Sequence, residues 1–326
     1  MLDFAGKRWY YLGFSMIFFV IAAVALAIPP HLKPGIEFTS GSSFTEKFDQ
    51  PVNQSDLRAE MAKLGFADAQ IQGAGSNTYI IKTRELKGAP SLNSAAAGPV
   101  PSGEIDTIEA ALRARFGPFT RVDFSTVSST VSSQIVRDAT LAVIVAAIAI
   151  LLYVAFAFRH LPKPFRYGVC AIVALLHDAF VILGLFSILG KVFNTEVDTS
   201  FITALLTVIG FSVHDTIVVF DRIRENLAAD PFIPFEEAVN ASLTETLARS
   251  INTSFVVVLT VLSMLLIGGV TIRNFLIVLL VGVISGTYSS IGIASQLLVA
   301  WENNDVGKFF RRITGRKPAE PQAEPA

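Results

Sequence analysis

Long apolar stretches, separated by short charged segments, occupy most of this chain. Six stretches of 20 or more residues contain at most two Asp, Glu, Lys, Arg or His residues each: 9–30, 139–158, 167–190, 199–220, 250–272 and 274–301. A hydrocarbon core about 30 Å thick needs about 20 apolar residues of helix. The pattern therefore predicts a polytopic α-helical membrane protein with six transmembrane helices.

The charged connections between these stretches predict the orientation in the membrane. Thirteen Lys and Arg residues fall on the side of the N-terminus, against two, Lys191 and Arg273, in the opposite short loops. Positive charge accumulates on the cytoplasmic side, so we expect both termini in the cytoplasm. Residues 1–30 are interpreted as the N-terminus and an uncleaved first span, because the apolar run exceeds a signal-peptide core of about 7–15 residues.

Residues 31–138 carry much of the charge and predict a small extracytoplasmic α+β domain between spans 1 and 2. Strand-like patterns at 35–48, 77–83 and 119–127 alternate with helical patterns at 53–64 and 105–116. This order suggests a ferredoxin-like unit. Three other segments carry separate expectations: a mobile loop at 86–103, a cytoplasmic surface helix at 221–249, and a basic, then disordered tail at 302–326.

Composition narrows the classes of function. The chain is 52% hydrophobic and 16% charged, with a net charge of −1, which gives no bulk basic signal for nucleic acid. Its single cysteine excludes an intramolecular disulfide and a CxxC site. The P-loop, GxSxG and HExxH motifs are absent from the sequence. We therefore expect a protein that is not an enzyme, with no cofactor and no metal.

Two carboxylates lie inside predicted spans, and a membrane-embedded ionisable residue is functional by default. Asp215 lies about 8 Å from the cytoplasmic end of span 4. Arg249, at the start of span 5, is expected to reach toward it, and Thr253 one turn deeper to donate a hydroxyl hydrogen bond. A proton relay and a static ion pair are both compatible with this set, since a neighbouring Arg favours the charged carboxylate and burial disfavours it.

Asp178 lies midway along span 3, where a helix-packing hydrogen bond and a role in transport are equally open. His177 and His214 each precede an Asp, but adjacent residues on a helix point about 100° apart, which disfavours a shared metal site. Gly282, Gly286 and Ser290 form a small-residue ridge on span 6 that predicts close helix packing.

Two motifs carry a family resemblance. VIGFSVHDTIVVFDRIREN at 208–226 closely resembles a signature of the SecD/SecF family of bacterial protein-export membrane proteins, and GIEFTSGSSF at 35–44 resembles its GIDFTGG-type motif. Glu37 replaces the usual Asp, Ser40 the usual Gly and His214 the common Asn. The other matching motif residues are Gly35, Phe38, Gly210, Asp221, Arg222, Arg224, Glu225 and Asn226.

The resemblance implies one half of a SecD–SecF pair in the bacterial inner membrane, within the resistance-nodulation-division superfamily. Such a pair uses the proton-motive force to complete preprotein translocation beside the SecYEG channel, and indirectly beside SecA. It implies that the proton-pathway Asp and Arg are Asp215 and Arg249, supported by Thr253. His214 and Asp178, inside spans 4 and 3, are further candidates for the pathway from their own chemistry. Two rivals are a proton-driven exporter of lipid or small molecules and an intramembrane hydrolase using a His-Asp pair.

Overall fold

The computed structural model describes residues 3–75, 77–87, 103–159, 163–269 and 272–305. Most of the expected loop 86–103 and of the tail 302–326 lies outside these residues. Six helices in the described chain are long and apolar enough to cross a membrane. They are α1 (Arg8–Ala27), α5 (Ser129–Ala157), α6 (Pro164–Phe193), α7 (Thr199–Ala229), α8 (Phe235–Ile267) and the continuous run α9 (Arg273–Ser289), a π-helical segment (Ser290–Ala294) and α10 (Ser295–Glu302).

A small α+β domain follows α1. Its elements are a short helix α2 (Ile36–Thr39), β1 (Gly41–Phe48), α3 (Gln54–Lys63), β2 (Gln70–Gly75), β3 (Thr78–Thr83), α4 (Glu104–Phe116) and β4 (Phe119–Val127). The four strands form an antiparallel sheet in the order β2-β3-β1-β4. From β1 onward the element order is β-α-β-β-α-β, which is that of a ferredoxin-like unit.

The sequence prediction differs from this domain in two places. The strand predicted at 35–48 begins only at Gly41, because Ser40 and Gly41 adopt positive φ angles of 63° and 142° and end the short helix α2. Strand β2 was not predicted, because its sequence QIQGAG has two glycines and a single large apolar residue, Ile71. The core between sheet and helices is built largely from Phe44, Phe48, Ile81, Leu57, Met61, Ile108 and Leu112.

The membrane helices extend beyond the apolar runs, and this corrects the prediction of a separate surface helix at 221–249. Residues 221–229 continue α7, residues 230–234 form a turn, and α8 begins at Phe235 and runs unbroken into span 5. An ion pair links the two extensions, since Arg222 on α7 binds Glu245 on α8 at 2.5 Å. Asn226 adds a hydrogen bond to Ser242 of 2.9 Å. The C-terminal end of α7 and the N-terminal end of α8 are thus joined side by side.

The small-residue ridge on α9 packs against α7. A Cβ atom at Gly282 would overlap the side chain of Val208, and one at Gly286 would lie 2.9 Å from Cβ of Ser212. Side chains larger than glycine at either position would push the two helices apart. This close approach brings the polar side chains of α7 within reach of the serines on α9 and the π-helical segment.

The motif at Gly35 joins the α+β domain to the membrane helices. Its backbone N–H donates to the carbonyl of Val197, in the α6–α7 connection, at 2.7 Å. A side chain at Gly35 would overlap Glu37, which is half-buried here, and burial raises the pKa of that carboxyl. Phe38 packs against the apolar cluster between α6 and α7. These residues therefore form the junction between the two parts of the molecule.

Candidate functional site

Asp215 lies on the inward face of α7 and is only 7% exposed. Its Oδ1 accepts a hydrogen bond of 2.5 Å from the Ser250 hydroxyl on α8, and its Oδ2 accepts one from Ser290 in the π-helical segment. A carboxyl group inside the bilayer needs such partners, because leaving it without them costs several kcal/mol. Asp215 is therefore held between two neighbouring helices by one hydroxyl on each oxygen.

Arg249 and Thr253 do not make the contacts with Asp215 that the sequence predicts. Within the described part of the chain, Arg249 is exposed and makes no side-chain hydrogen bond or ion pair to the carboxylate. The Thr253 hydroxyl donates instead to backbone carbonyls of its own helix, at Arg249 (3.0 Å) and Ser250 (3.1 Å). The reason is rotational: Ser250 occupies the inward face of α8, and Arg249 points about 100° away from it.

Sequence reasoning missed Ser250, although the signal for it was present. Ser250 and Ser254 are one helical turn apart and both are buried, whereas their neighbours Arg249 and Thr253 are exposed. The Ser254 hydroxyl in turn lies 2.5 Å from that of Thr287 on α9. The period of buried serines thus identifies the face of α8 that meets α7 and α9.

The exposed side of α7 is unusually polar for a membrane helix. Thr203, Thr207, Gly210 and His214 follow one another at helical spacing, and all four are exposed. A Cβ atom at Gly210 would meet no atom within 4 Å. We call these residues, together with the exposed Arg249, Asn252 and Thr253 of α8, the polar lane. His214 precedes Asp215 in the chain, and Arg249 precedes Ser250, which donates to Asp215. Both His214 and Arg249 therefore lie at the height of Asp215 in the membrane.

Asp178 on α6 has a denser set of partners. It is 1% exposed and accepts hydrogen bonds from Ser212 of α7 at 2.8 Å and from Ser285 and Ser289 of α9 at 2.6 Å each. The Nδ1 atom of His177 lies 3.4 Å from its other side, while the buried Nε2 atom has no partner among the described residues. The sequence left open a helix-packing hydrogen bond and a role in transport for Asp178. In the structure, Asp178 makes helix-packing hydrogen bonds.

The motif residues at 221–226 form ion pairs and hydrogen bonds at the C-terminal end of α7. Asp221 pairs with Arg224, and Arg222 pairs with Glu225, each at 2.6 Å along α7. Asn226 also reaches Glu245 at 3.2 Å. These contacts explain why charged residues follow span 4 directly, since they fix the ends of α7 and α8 beside the Asp215–Ser250 contact that lies deeper in the membrane.

Comparison with known proteins decides the family. Residues 107–304 match the family model described as protein export membrane protein SecD/SecF, C-terminal. A protein translocase subunit SecF from Thermobaculum terrenum is 42% identical over 327 residues, covering 99% of both chains. The chain belongs to the SecD/SecF family.

Solved structures and longer relatives support the same family. The crystal structure of SecDF from Thermus thermophilus, a translocon-associated membrane protein, superposes with a TM-score of 0.78 at 32% identity. That match covers 93% of this chain and 39% of the SecDF chain. The SecDF of Bacillus subtilis is 34% identical over 94% of this chain and 39% of its own length. The SecD/SecF chain described here thus corresponds to a part of these longer proteins.

Proposed function

We propose that this chain is the SecF subunit of a Sec protein-export translocase, which acts with a SecD partner to complete preprotein translocation in the bacterial inner membrane. The proton-motive force supplies the energy, and the chain itself is not an enzyme. The observation that carries the proposal is the position of Asp215, a buried carboxyl group beside the polar lane. It lies at the height of Arg249, which has no ion-pair partner among the described residues. The membership of the chain in the SecD/SecF family supports the export role.

Arg249 has no ion-pair partner among the described residues, and this favours a relay over a static ion pair. A permanent pair would need the guanidinium against the carboxylate, but serine hydroxyls occupy both oxygens of Asp215 in the described chain. Arg249 is long enough to swing toward the carboxylate when the helices rearrange. A guanidinium that approaches and leaves would alternately favour the charged and the protonated carboxyl, as a proton relay requires.

The polar lane is the surface on which a SecD partner would pack. Exposed Thr, His, Asn and Arg side chains are disfavoured against lipid, and such residues ordinarily face a helix bundle or water. In the Bacillus subtilis relative, named SecDF, the region similar to this chain is 39% of the protein, which leaves room for a SecD half. Covering the lane would place Asp215 and Arg249 at the centre of a twelve-helix unit, with both termini of this chain in the cytoplasm.

Two variants test the proton relay in inverted vesicles that contain the SecYEG channel, SecA, SecD and a preprotein. We expect Asp215→Asn and Arg249→Met each to reduce export with a proton gradient to the level without one, while SecD still co-purifies. Asp230→Asn and Arg273→Met are matched controls, because both residues are exposed and lie outside the site. Gradient-dependent export that survives either site variant would contradict the proposed function.

The rival exporter of lipid or small molecules makes a different prediction about partners. A single six-helix half that worked as an exporter would have to complete its bundle with a second copy of itself. Purification in mild detergent distinguishes the two, since a SecD chain bound one to one supports the export role. A homo-oligomer without SecD supports the rival.

A further inference from the structure

Two adjacent serines connect the two membrane carboxylates. Ser289, the last residue of α9, donates to Asp178 on α6, and Ser290, the first residue of the π-helical segment, donates to Asp215 on α7. Since neighbouring residues point about 100° apart on a helix, one turn of the chain reaches two different helices. Ser212, three residues before Asp215, also donates to Asp178 at 2.8 Å. Adjacent serines therefore bind the two carboxylates, and α7 carries both Asp215 and a donor to Asp178.

The π-helical segment that begins at Ser290 is stabilised by side chains from the start of α10. A π-turn widens the helix by one residue, and such turns are frequent at functional sites. The Ser295 hydroxyl donates to the carbonyl of Ser290 at 2.8 Å, and the Gln296 amide donates to that of Ile291 at 3.0 Å. Both bonds run from residue i+5 back to residue i. These side chains hold the widened turn in place.

The same turn is anchored to α1, which leads to the α+β domain. Tyr288 donates its hydroxyl to the carbonyl of Tyr11 at 2.7 Å and lies 3.0 Å from the Ser15 hydroxyl. A side chain at Gly292 would lie 2.9 Å from the Tyr288 ring, so the glycine leaves room for that ring beside the π-turn. Residues 288–290 thus contact α1, α6 and α7 in succession.

The two carboxylates differ in the way they are held, and this difference separates their roles. Asp178 is 1% exposed and accepts three serine hydroxyls from two helices, so it works as an anchor. Asp215 is 7% exposed and accepts one hydroxyl on each oxygen, so fewer bonds oppose a change in its protonation. Its bond from Ser290 depends on where the π-turn places that serine.

We propose that Asp178 and Ser289 are positioning residues, which fix the π-turn and thereby hold the Ser290 hydroxyl on Asp215. This inference rests on the proposed function, in which Asp215 gains and loses protons. Titratable or charged groups on the elements around Asp215 include His214 on α7, Arg249 on α8, Asp178 and His177 on α6, and Tyr288 on α9. Among the described residues, Ser289 makes no hydrogen bond to Asp215, so its effect on that carboxyl is indirect, through the turn and through Asp178 with its second donor Ser212.

The test measures the protonation of Asp215 directly, in the full chain with SecD in nanodiscs. A hydrophobic carbodiimide reacts with protonated carboxyl groups, and mass spectrometry follows its attachment to Asp215 as the pH is varied. In Ser290→Ala we expect a labelling curve that is clearly displaced from that of the wild type, because a direct hydroxyl donor to Asp215 is lost. In Ser289→Ala we expect a smaller shift in the same direction.

The controls separate positioning from general damage. Ser263→Ala removes an exposed serine that bonds only its own helix at Leu259, and its labelling curve should match that of the wild type. Ser295→Ala loosens the π-turn without touching either carboxylate and should shift the curve as Ser289→Ala does. Asp178→Asn retains one acceptor oxygen and should shift the curve less than Asp178→Ala.

Each outcome bears on one of the two proposals. Titration of Asp215 that is unchanged in Ser289→Ala and Ser295→Ala would overturn the positioning role and leave the relay standing. An Asp215 that never titrates in the wild type would contradict the proposed function and the inference together. Should Ser289→Ala fail to fold, Ser295→Ala and Asp178→Asn decide the question on the same measurement.

Discussion

The membrane helices and the α+β domain both bury carboxyl groups, but they stabilise them differently. In the membrane, Asp178 accepts three serine hydroxyls and Asp215 accepts two. In the α+β domain, Glu46 on β1 is fully buried, and among the described residues no donor reaches either of its oxygens. A buried carboxyl group without donors needs an alternative to hydrogen bonds, because its charge would otherwise be left uncompensated.

That alternative is to keep the proton. Burial and then the negative charge of Glu109 on α4 raise the pKa of Glu46 from 4.5 to about 8, against the opposing effect of Arg121 on β4 and Arg113 on α4. Tyr79 on β3 lies opposite Glu46 across the sheet. Glu109 itself is paired with Arg121. A protonated Glu46 therefore lies near the Glu109–Arg121 pair, and the proton on Glu46 makes the stability of the domain sensitive to pH.

The largest expected effect follows from that proton. Between pH 4.5 and 8 the folded domain holds a proton on Glu46 that the unfolded chain has released. Its free energy of unfolding therefore falls as the pH rises, by at most about 1.4 kcal/mol per unit, and levels off above pH 8. Hydrogen exchange of the β1, β3 and β4 amides in the full chain, corrected for intrinsic rates, measures this slope.

Glu46→Gln should flatten the slope, because its amide has no proton to lose in this range. Glu85→Gln is the matched control, since Glu85 is an exposed carboxyl in the same domain, and it should keep the wild-type slope. Equal slopes in the wild type and in Glu46→Gln would show that the two regions bury carboxyl groups in the same way, and the comparison would then fail.

The sequence predicts the membrane part well because the bilayer imposes a simple rule. Twenty uncharged residues in a row have few alternatives to a spanning helix, and a carboxylate within such a run stands out. The same rule singled out Asp178 and Asp215. It does not give rotation about the helix axis, so Arg249 was expected to face the carboxylate where Ser250 does. Serines in an apolar helix resemble packing residues, which hid Ser285, Ser289 and Ser290 as donors.

The α+β domain is harder to predict because its signals are local and short. Strand β2 has a weak apolar pattern, and its pairing with β3 decides its structure more than its own residues do. The sequence does indicate that Glu46 is buried. Phe44, Glu46 and Phe48 are spaced two residues apart and so lie on one face of β1, and the two phenylalanines are core residues. A charge in register with core residues is a sign of burial that the net composition conceals.

A smaller effect is expected when the membrane anchor is removed. Asp178→Ala deletes the acceptor of three hydroxyls, and hydrogen bonds between membrane helices average about 0.6 kcal/mol each, so we expect a loss of about 2 kcal/mol in the free energy of unfolding. Asp178→Asn keeps one acceptor oxygen and should lose about half as much. Reversible unfolding in mixed micelles measures both losses.

Ser263→Ala is the control for this series, because that serine bonds only its own helix. Its free energy of unfolding should stay within about 0.5 kcal/mol of the wild type. A stability of Asp178→Ala equal to that of the wild type would mean that the serine hydroxyls are satisfied as well by their own helices. The membrane carboxylate would then be a tolerated residue and not an anchor.

The smallest expected effect lies at the boundary, where a third way of burying a carboxyl group operates. Glu196, in the α6–α7 connection, is 8% exposed and binds the Lys82 ammonium of β3 at 2.5 Å. Lys82→Met keeps the apolar stem and removes the charge, which should weaken the junction by about 1 kcal/mol, since the pair is partly exposed.

Hydrogen exchange measures this loss in Lys82→Met, and it should rise at residues 33–39 and 194–198 while the sheet stays protected. Lys63→Met, which breaks an exposed pair within α3, should change neither segment. If exchange rises across the whole sheet instead, the domain and the membrane helices unfold as one unit, and the contrast between their carboxyl groups does not separate two independently stable regions.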